Sequence, residues 1–424
     1  MIYACERIIY SDNYRKNYDS YGHKILNLKI IKYLIEHGAD VNVKNKHNTT
    51  PLMIACSKKN TPPLFEGDHC FLYDSEILNI EVVKYLIEHG ADINAKNINN
   101  NTPLILACCY CEDIELIIYL LMHGAEVNAI TKTGETPLLI TSQLNNRNKK
   151  TIIRYLIAFG ADVNAINNEG YTTLMNICMS RDNMYEILKC LIDLGVDVNA
   201  KNNEMETATM IALRNMYVGS DFLTYLIEQE ICSNKDNTFL GTYLLNAVQM
   251  ENPKWEIINY LIEKGADVNT MDSQKCIPLH YVCGKRFIED LFFNDVLVRE
   301  NEAIEVIHKL LNHGSSVNAK NKMGTTPLMM ACRANSRYDN RLSIKLIKFL
   351  IENGADINGK DNEGNTVIMY ACDGCSPDNE VVKYLIDNKV DIHAKNKKGE
   401  TVLSYAQKNN NTKIVEIILD LINS

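Results

Sequence analysis

The amino-acid sequence predicts an all-α repeat solenoid, a stack of helix-turn-helix units with short β-hairpin-like fingers, and three observations carry that prediction. A Gly-Ala-Asp-Val/Ile-Asn segment recurs, ending at Asn42, Asn94, Asn164, Asn269 and Asn358, with weaker copies ending at Asn128, Asn199, Asn234, Asn318 and His393. Most intervals between these anchors are 34 to 36 residues and three are longer, at 52, 49 and 40; such a period marks a repeat array. A second segment keeps a fixed offset: Thr50-Pro51-Leu52, Thr102-Pro103-Leu104, Thr136-Pro137-Leu138 and Thr326-Pro327-Leu328 each begin eight residues after the anchor. The third observation is a leucine four residues before the glycine position, as at Leu34, Leu86, Leu120, Leu156, Leu261 and Leu350.

Each element of the unit has a local physical reason. Asn48, Asn100, Gly134, Gly170, Gly324, Gly364 and Gly399 precede the threonine by two residues, and these residue types tolerate the positive φ of a tight turn. The threonine hydroxyl suits the N-cap of a first helix, and proline suits its first position, where a missing N–H costs nothing. A small residue follows five places on, at Ala55, Ala107, Ala212, Ala331 and Ala371 among others, and lets helices approach closely. The second helix reads from apolar residues at helical spacing, as in Glu81 to His89, and the following glycine is a left-handed helix stop. The same offset reaches decayed copies of the threonine position at Thr172, Thr207, Thr242, Ile277, Thr366 and Thr401.

Turn, short helix, loop and longer helix, with these words in this order, resemble the ankyrin-repeat family over essentially the whole chain. The resemblance implies two antiparallel helices per repeat, fingers projecting at roughly a right angle, and an elongated, curved, right-handed array. Residues 1–424 read as one array of about eleven units, the first and last partial; Met1-Ile2-Tyr3-Ala4-Cys5 resembles Ile368-Met369-Tyr370-Ala371-Cys372. The family implies a protein partner bound on the concave face of fingers and first helices. The finger-tip candidates are Lys46, His47, Thr49, Ile98, Asn99, Asn101, Lys132, Thr133, Glu135, Lys322 and Met323.

Departures from the pattern supply the alternatives. Insertions between first and second helices fall near 6–27, 57–79, 284–302 and 333–343. They hold aromatic residues, Phe65, Phe71 and Tyr73 in one and Phe287, Phe292 and Phe293 in another. These side chains either fold back over the stack or form a second binding site on the opposite rim; covering is the simpler reading, since large exposed apolar patches are rare. Around 200–245 the repeat loses its proline (Ala208, Tyr243), its turn glycine (Met205, Leu240) and its stop glycine (Glu230), so this stretch is expected to be a soft point between two stiffer halves.

Catalytic chemistry is not expected. Seven cysteines share one repeat position, including Cys56, Cys108, Cys178, Cys283, Cys332 and Cys372, and read as a buried stacked row. The CxxC spacings at Cys108/Cys111 and Cys372/Cys375 lie too far apart in a linear stack to share a zinc ion. His37, His89, His123 and His313 precede the stop glycine, where a donor suits a helix C-terminus. No phosphate-binding glycine loop, HExxH or nucleophile elbow occurs, so neither metal nor cofactor is expected. The net charge of −9 opposes nonspecific nucleic-acid binding, although finger lysines such as Lys44, Lys96, Lys201, Lys320, Lys360 and Lys395 form a comb along one edge. No apolar run approaches a membrane span and the first residues lack a signal-peptide pattern. The sequence therefore reads as a monomeric, cytoplasmic or nuclear protein-interaction scaffold that is not secreted and contacts neither nucleic acid nor membrane. Two alternatives remain: an adaptor that delivers bound proteins to other machinery such as a ubiquitin ligase, and a fragment of a longer protein whose other part is catalytic or membrane-bound.

Overall fold

First helices begin where the sequence places a capping threonine. In the computed structural model, which describes residues 20–57, 75–110, 113–144, 147–234, 236–250, 252–284, 296–335, 343–372, 379–408 and 412–423, the Thr50, Thr136 and Thr172 hydroxyls accept the backbone N–H three residues on at 3.2–3.3 Å. Pro51 and Pro137 fill the first turn. Ile277 has no hydroxyl, and its helix Pro278–Cys283 is tied from the other side: the Ile277 N–H donates to His280 Nδ1 at 3.2 Å. His280 Nε2 lies 3.1 Å from the Thr325 carbonyl of the next repeat, so the ring's proton sits on Nε2. Burial holds this imidazole below its ordinary pKa, which suits a neutral ring bridging one acceptor and one donor.

Second helices end on a left-handed residue. Gly90, Gly124 and Gly160 take φ of +87°, +90° and +86°, and Lys389 takes the same role at +61°. At Glu230 no glycine is available and the helix does not stop; it runs Ser220–Ser233, 14 residues against nine for Ile114–Met122. The next helix, Phe239–Gln249, then starts early and encloses Leu240 and Thr242. The expected capping offset at Thr242 is therefore wrong: two overrunning helices replace the finger. A Cβ on Gly241 would lie 2.0 Å from Thr270 Oγ1, so glycine is needed for this close approach. Met205 differs, since it keeps the finger turn by adopting φ +63° itself.

Twenty-one helices, alternating second and first, are described. They fall into two compact units, residues 1–222 and 223–424. Within the first unit, Pro51–Cys56, Pro103–Tyr110, Pro137–Gln143, Thr173–Cys178 and Ala208–Arg214 pack side by side in that order. Within the second, Phe239–Gln249, Pro278–Cys283, Pro327–Asn335, Val367–Cys372 and Val402–Lys408 do the same. The leucine row lies in the resulting core: Leu86, Leu120, Leu156, Leu261 and Leu350 are fully buried, while Leu34 is half-buried. Cys56, Cys108 and Cys178 in the first unit and Cys283, Cys332 and Cys372 in the second are buried thiols, and burial pushes Cys283 and Cys332 well above the usual thiol range. No strand forms among the described residues; the fingers are turns, and two of them carry a single antiparallel bridge, Ile166 with Thr172 and Lys360 with Thr366. Helices Ser20–Glu36, Ser75–Glu88 and Val296–Asn312 show that the ends of three expected insertions continue the second helices.

Candidate functional site: a hydrogen-bonded row of fingers

Each finger closes on itself through backbone hydrogen bonds. In the first, Asn45 N–H donates to Thr49 O at 3.2 Å and Asn48 N–H to Asn45 O at 2.9 Å. The Asn45 side chain accepts the His47 and Thr49 N–H groups, at 2.9 and 3.0 Å. The repeated geometry follows from one residue with positive φ per finger, Asn48, Asn100, Gly134 and Gly170 in turn.

The fingers are also joined to one another. Ile98 N–H donates to His47 O at 3.1 Å, Lys132 N–H to Asn99 O at 3.1 Å, Asn168 N–H to Thr133 O at 3.1 Å and Asn203 N–H to Glu169 O at 3.0 Å. In the second unit Lys322 N–H donates to Gln274 O, Asn362 N–H to Met323 O and Lys397 N–H to Glu363 O. The candidates of the first unit thus share joined fingers: Lys46, His47 and Thr49, then Ile98, Asn99 and Asn101, then Lys132, Thr133 and Glu135 stand on three successive fingers linked by these bonds. Lys322 and Met323 stand on a finger of the second unit. Lys46, His47, Ile98, Asn99, Lys132, Thr133, Lys322 and Met323 are exposed, whereas Thr49, Asn101 and Glu135 are half-buried. Glu135 has an internal role, since its Oε1 accepts from Gln143 Nε2 at 3.2 Å and from Asn167 Nδ2 at 2.8 Å.

Sequence reasoning missed two sets of residues. The anchor asparagines clasp neighbouring repeats. Asn42 Nδ2 donates to Gly90 O at 2.9 Å while its Oδ1 accepts Asp92 N–H at 2.7 Å; Asn94, Asn128, Asn164, Asn269 and Asn318 repeat the pair of contacts. Their recurrence was visible in the sequence, but the partners are 30 to 50 residues away. The second set is on the finger side of the second unit, where Tyr281 donates to Asp272 and Tyr370 to Asp361 at 2.8 Å. Burial first, then the adjoining carboxylate, pushes both phenols up to about 12. For Asp272, burial pushes upward but the hydrogen bonds from Tyr281, Cys276 and Gln274 outweigh it and hold the carboxyl low. These pairs lock first helices to fingers.

The histidines before the stop glycines cap helix ends: His37, His89, His123 and His313 each place Nδ1 2.8 Å from the carbonyl four residues earlier. Among the described residues no group of three or more His, Cys, Asp or Glu side chains is placed to hold a metal ion, and no helix is long and apolar enough to cross a membrane. The rim candidates Phe65, Phe71, Tyr73, Phe287, Phe292 and Phe293 lie outside the described residues, as do Cys111 and Cys375.

The pattern described as ankyrin repeats (3 copies) matches residues 110–202, 138–238, 174–272, 296–396 and 336–424. Further ankyrin-repeat patterns match 27–64, 79–121 and 47–98. Among proteins similar to this chain, an ankyrin repeat protein of fowlpox virus is 33% identical over 109 residues, covering 23% of this chain and 14% of the relative. A second fowlpox virus ankyrin repeat protein is 37% identical over 87 residues, covering 20% and 36%. Alpha-latrocrustotoxin-Lt1a of Latrodectus tredecimguttatus is 43% identical over 79 residues, 18% of this chain and 4% of that protein. The chain therefore spans well under two thirds of each of these relatives. With the repeat pattern matched over well over half its length and each repeat word assigned to a turn, cap, helix or stop, the chain belongs to the ankyrin-repeat family.

Proposed function

We propose that this chain is a protein–protein interaction scaffold that engages a protein partner through its finger tips and the face the fingers share with the first helices. The observation that supports this reading is the tip-to-tip hydrogen-bond row. It satisfies the tip backbone within the protein and leaves Lys46, His47, Ile98, Asn99, Lys132 and Thr133 pointing away from the core on a preformed platform. A partner meeting such a surface loses little free energy to ordering it, and the exposed lysines steer an acidic partner. The buried thiols suit a reducing compartment, cytosol or nucleus, and the scaffold acts as a monomer without metal, cofactor or chemistry of its own. Affinity capture with mass spectrometry should compare the intact chain with Lys46→Glu/Lys132→Glu/Lys322→Glu. Loss of the captured proteins from the variant is the expected result. Equal capture by both chains would move the interaction off the fingers.

A further inference from the structure

On the finger side of the first unit, exposed apolar residues gather at the third to fifth fingers, besides Ile98 on the second. Two residues after the anchor, the chain has Lys44, Lys96 and Lys201 but Ile130 and Ile166, and these isoleucines are 54% and 61% exposed. A second substitution falls at the same place. In the third repeat Glu135 holds Gln143 at the end of the first helix, and in the fifth Glu206 pairs with Arg214. The fourth repeat has Tyr171 and Met179 at these two positions, Tyr171 half-buried and Met179 exposed. Met205, at the turn of the fifth finger, is also exposed, and that finger is joined to the fourth through Asn203 N–H and Glu169 O. Ile130, Ile166, Tyr171, Met179 and Met205 thus place apolar side chains on three successive repeats, with polar pairs flanking the fourth.

The run of finger lysines thins out across this patch. Towards the first finger lie exposed Lys44, Lys46, Lys96 and Lys132, of which Lys96 shares its charge with Glu126 at 3.5 Å. The carboxylates of Asp40 and Asp92 nearby accept backbone N–H groups of their own loops. At the fourth and fifth fingers Glu169 and Glu204 are exposed together with Lys201, so the lysine excess of the first three fingers ends there. A hydrophobic centre with a charged surround is the form that binding hot spots take.

Resting on the reading of the fingers as an interaction surface, we infer that this patch takes an extended protein segment with one aliphatic or aromatic side chain and a cluster of acidic side chains to one side of it. Neighbouring first helices pack side by side, so each repeat advances about 8–10 Å. The basic group is centred two to three repeats from the patch, about 16–30 Å away, which an extended chain covers in about five to nine residues. That spacing is the recognition rule. The apolar side chain seats at Ile166 and Met179, and the acidic cluster lies over Lys46, Lys96 and Lys132.

The test is selection from a displayed library of random peptides about twelve residues long on the full chain, followed by titration of labelled selected peptides. Two variants with melting curves matching the parent are compared, Ile166→Lys/Met179→Lys and Lys46→Glu/Lys132→Glu; Ile130→Lys, on the neighbouring repeat, repeats the first test independently. The expected result is enrichment of peptides with an acidic cluster about five to nine residues from an apolar side chain. Each variant should then weaken binding about tenfold or more, and added salt should erase only the contribution of the lysines. Selected peptides without the acidic cluster, or peptides that bind Ile166→Lys/Met179→Lys and Ile130→Lys as tightly as the parent, overturn the inference. If those peptides still lose affinity for Lys46→Glu/Lys132→Glu, the finger surface stands and only the patch falls. Selection that yields no binder, or binders indifferent to every variant, sinks both readings.

Discussion

Met205 holds a left-handed backbone conformation at a finger position that glycine or asparagine fills in most other repeats. For a residue with a side chain this conformation costs roughly 1–2 kcal/mol, and the exposed methionine side chain recovers little of it through burial. Glycine would lift that cost and give back part through its looser unfolded chain. Met205→Gly is therefore expected to stabilise the protein by about 0.5–1 kcal/mol, measured as a higher urea midpoint; a lower midpoint would mean the side chain holds the turn by contacts. Gly134→Ala runs the other way. Its φ is +80°, and an added Cβ would meet Asn168 Oδ1 at 2.6 Å and Asn168 N at 2.8 Å on the next finger. The expected loss is about 1–3 kcal/mol, and an unchanged midpoint would show that these two fingers are not in close contact. The threonine caps, the stop glycines and the leucine row were legible in the sequence because each acts within a few residues of itself. Met205 was legible only as a missing glycine: nothing in its own residue type says that its neighbours would force the turn.

Between elements, the asparagine clasps decide how repeats register. Asn94 ties Gly124 and Glu126 of the following repeat with bonds of 3.0 and 2.8 Å. Asn94→Ala removes both and is expected to cost about 1–3 kcal/mol at roughly 0.5–1.5 kcal/mol per bond, read from thermal unfolding. A loss equal to that of an exposed control such as Lys150→Ala would show that water replaces the clasp without penalty. The sequence repeats this asparagine plainly yet cannot pair it, because the clasp joins positions about one repeat apart and no local rule names the acceptor. The opposite failure occurs near Thr242. There the spacing looked intact, but with Glu230 in place of the stop glycine the helix Ser220–Ser233 ran on and the next began at Phe239, so a preserved count of residues concealed a changed structure. The finger-side polar pairs, Tyr281 with Asp272 and Tyr370 with Asp361, escaped notice for a related reason: tyrosine and aspartate are common, and only the fold brings a helix and its own finger together.

For the whole molecule, the division at 222/223 lies inside helix Ser220–Ser233, in the stretch where the repeat signature is weakest. Arrays of this kind have stability that is roughly a sum of local and neighbour terms. We propose that residues 200–245 separate two units able to unfold apart. Leu261, fully buried in the second unit, provides the probe. Leu261→Ala should cost about 2–5 kcal/mol and move one of two urea transitions while leaving the other in place; a single transition that shifts as a whole would show that the array unfolds as one. If the fingers form a platform built before any partner arrives, native-state hydrogen exchange on the isolated chain will show it. The amides of Ile98, Lys132, Asn168 and Asn203, each hydrogen-bonded to the preceding finger, are expected to exchange nearly as slowly as those of the helices behind them. Exchange of these four amides at the rate of an unstructured chain would contradict a preformed platform.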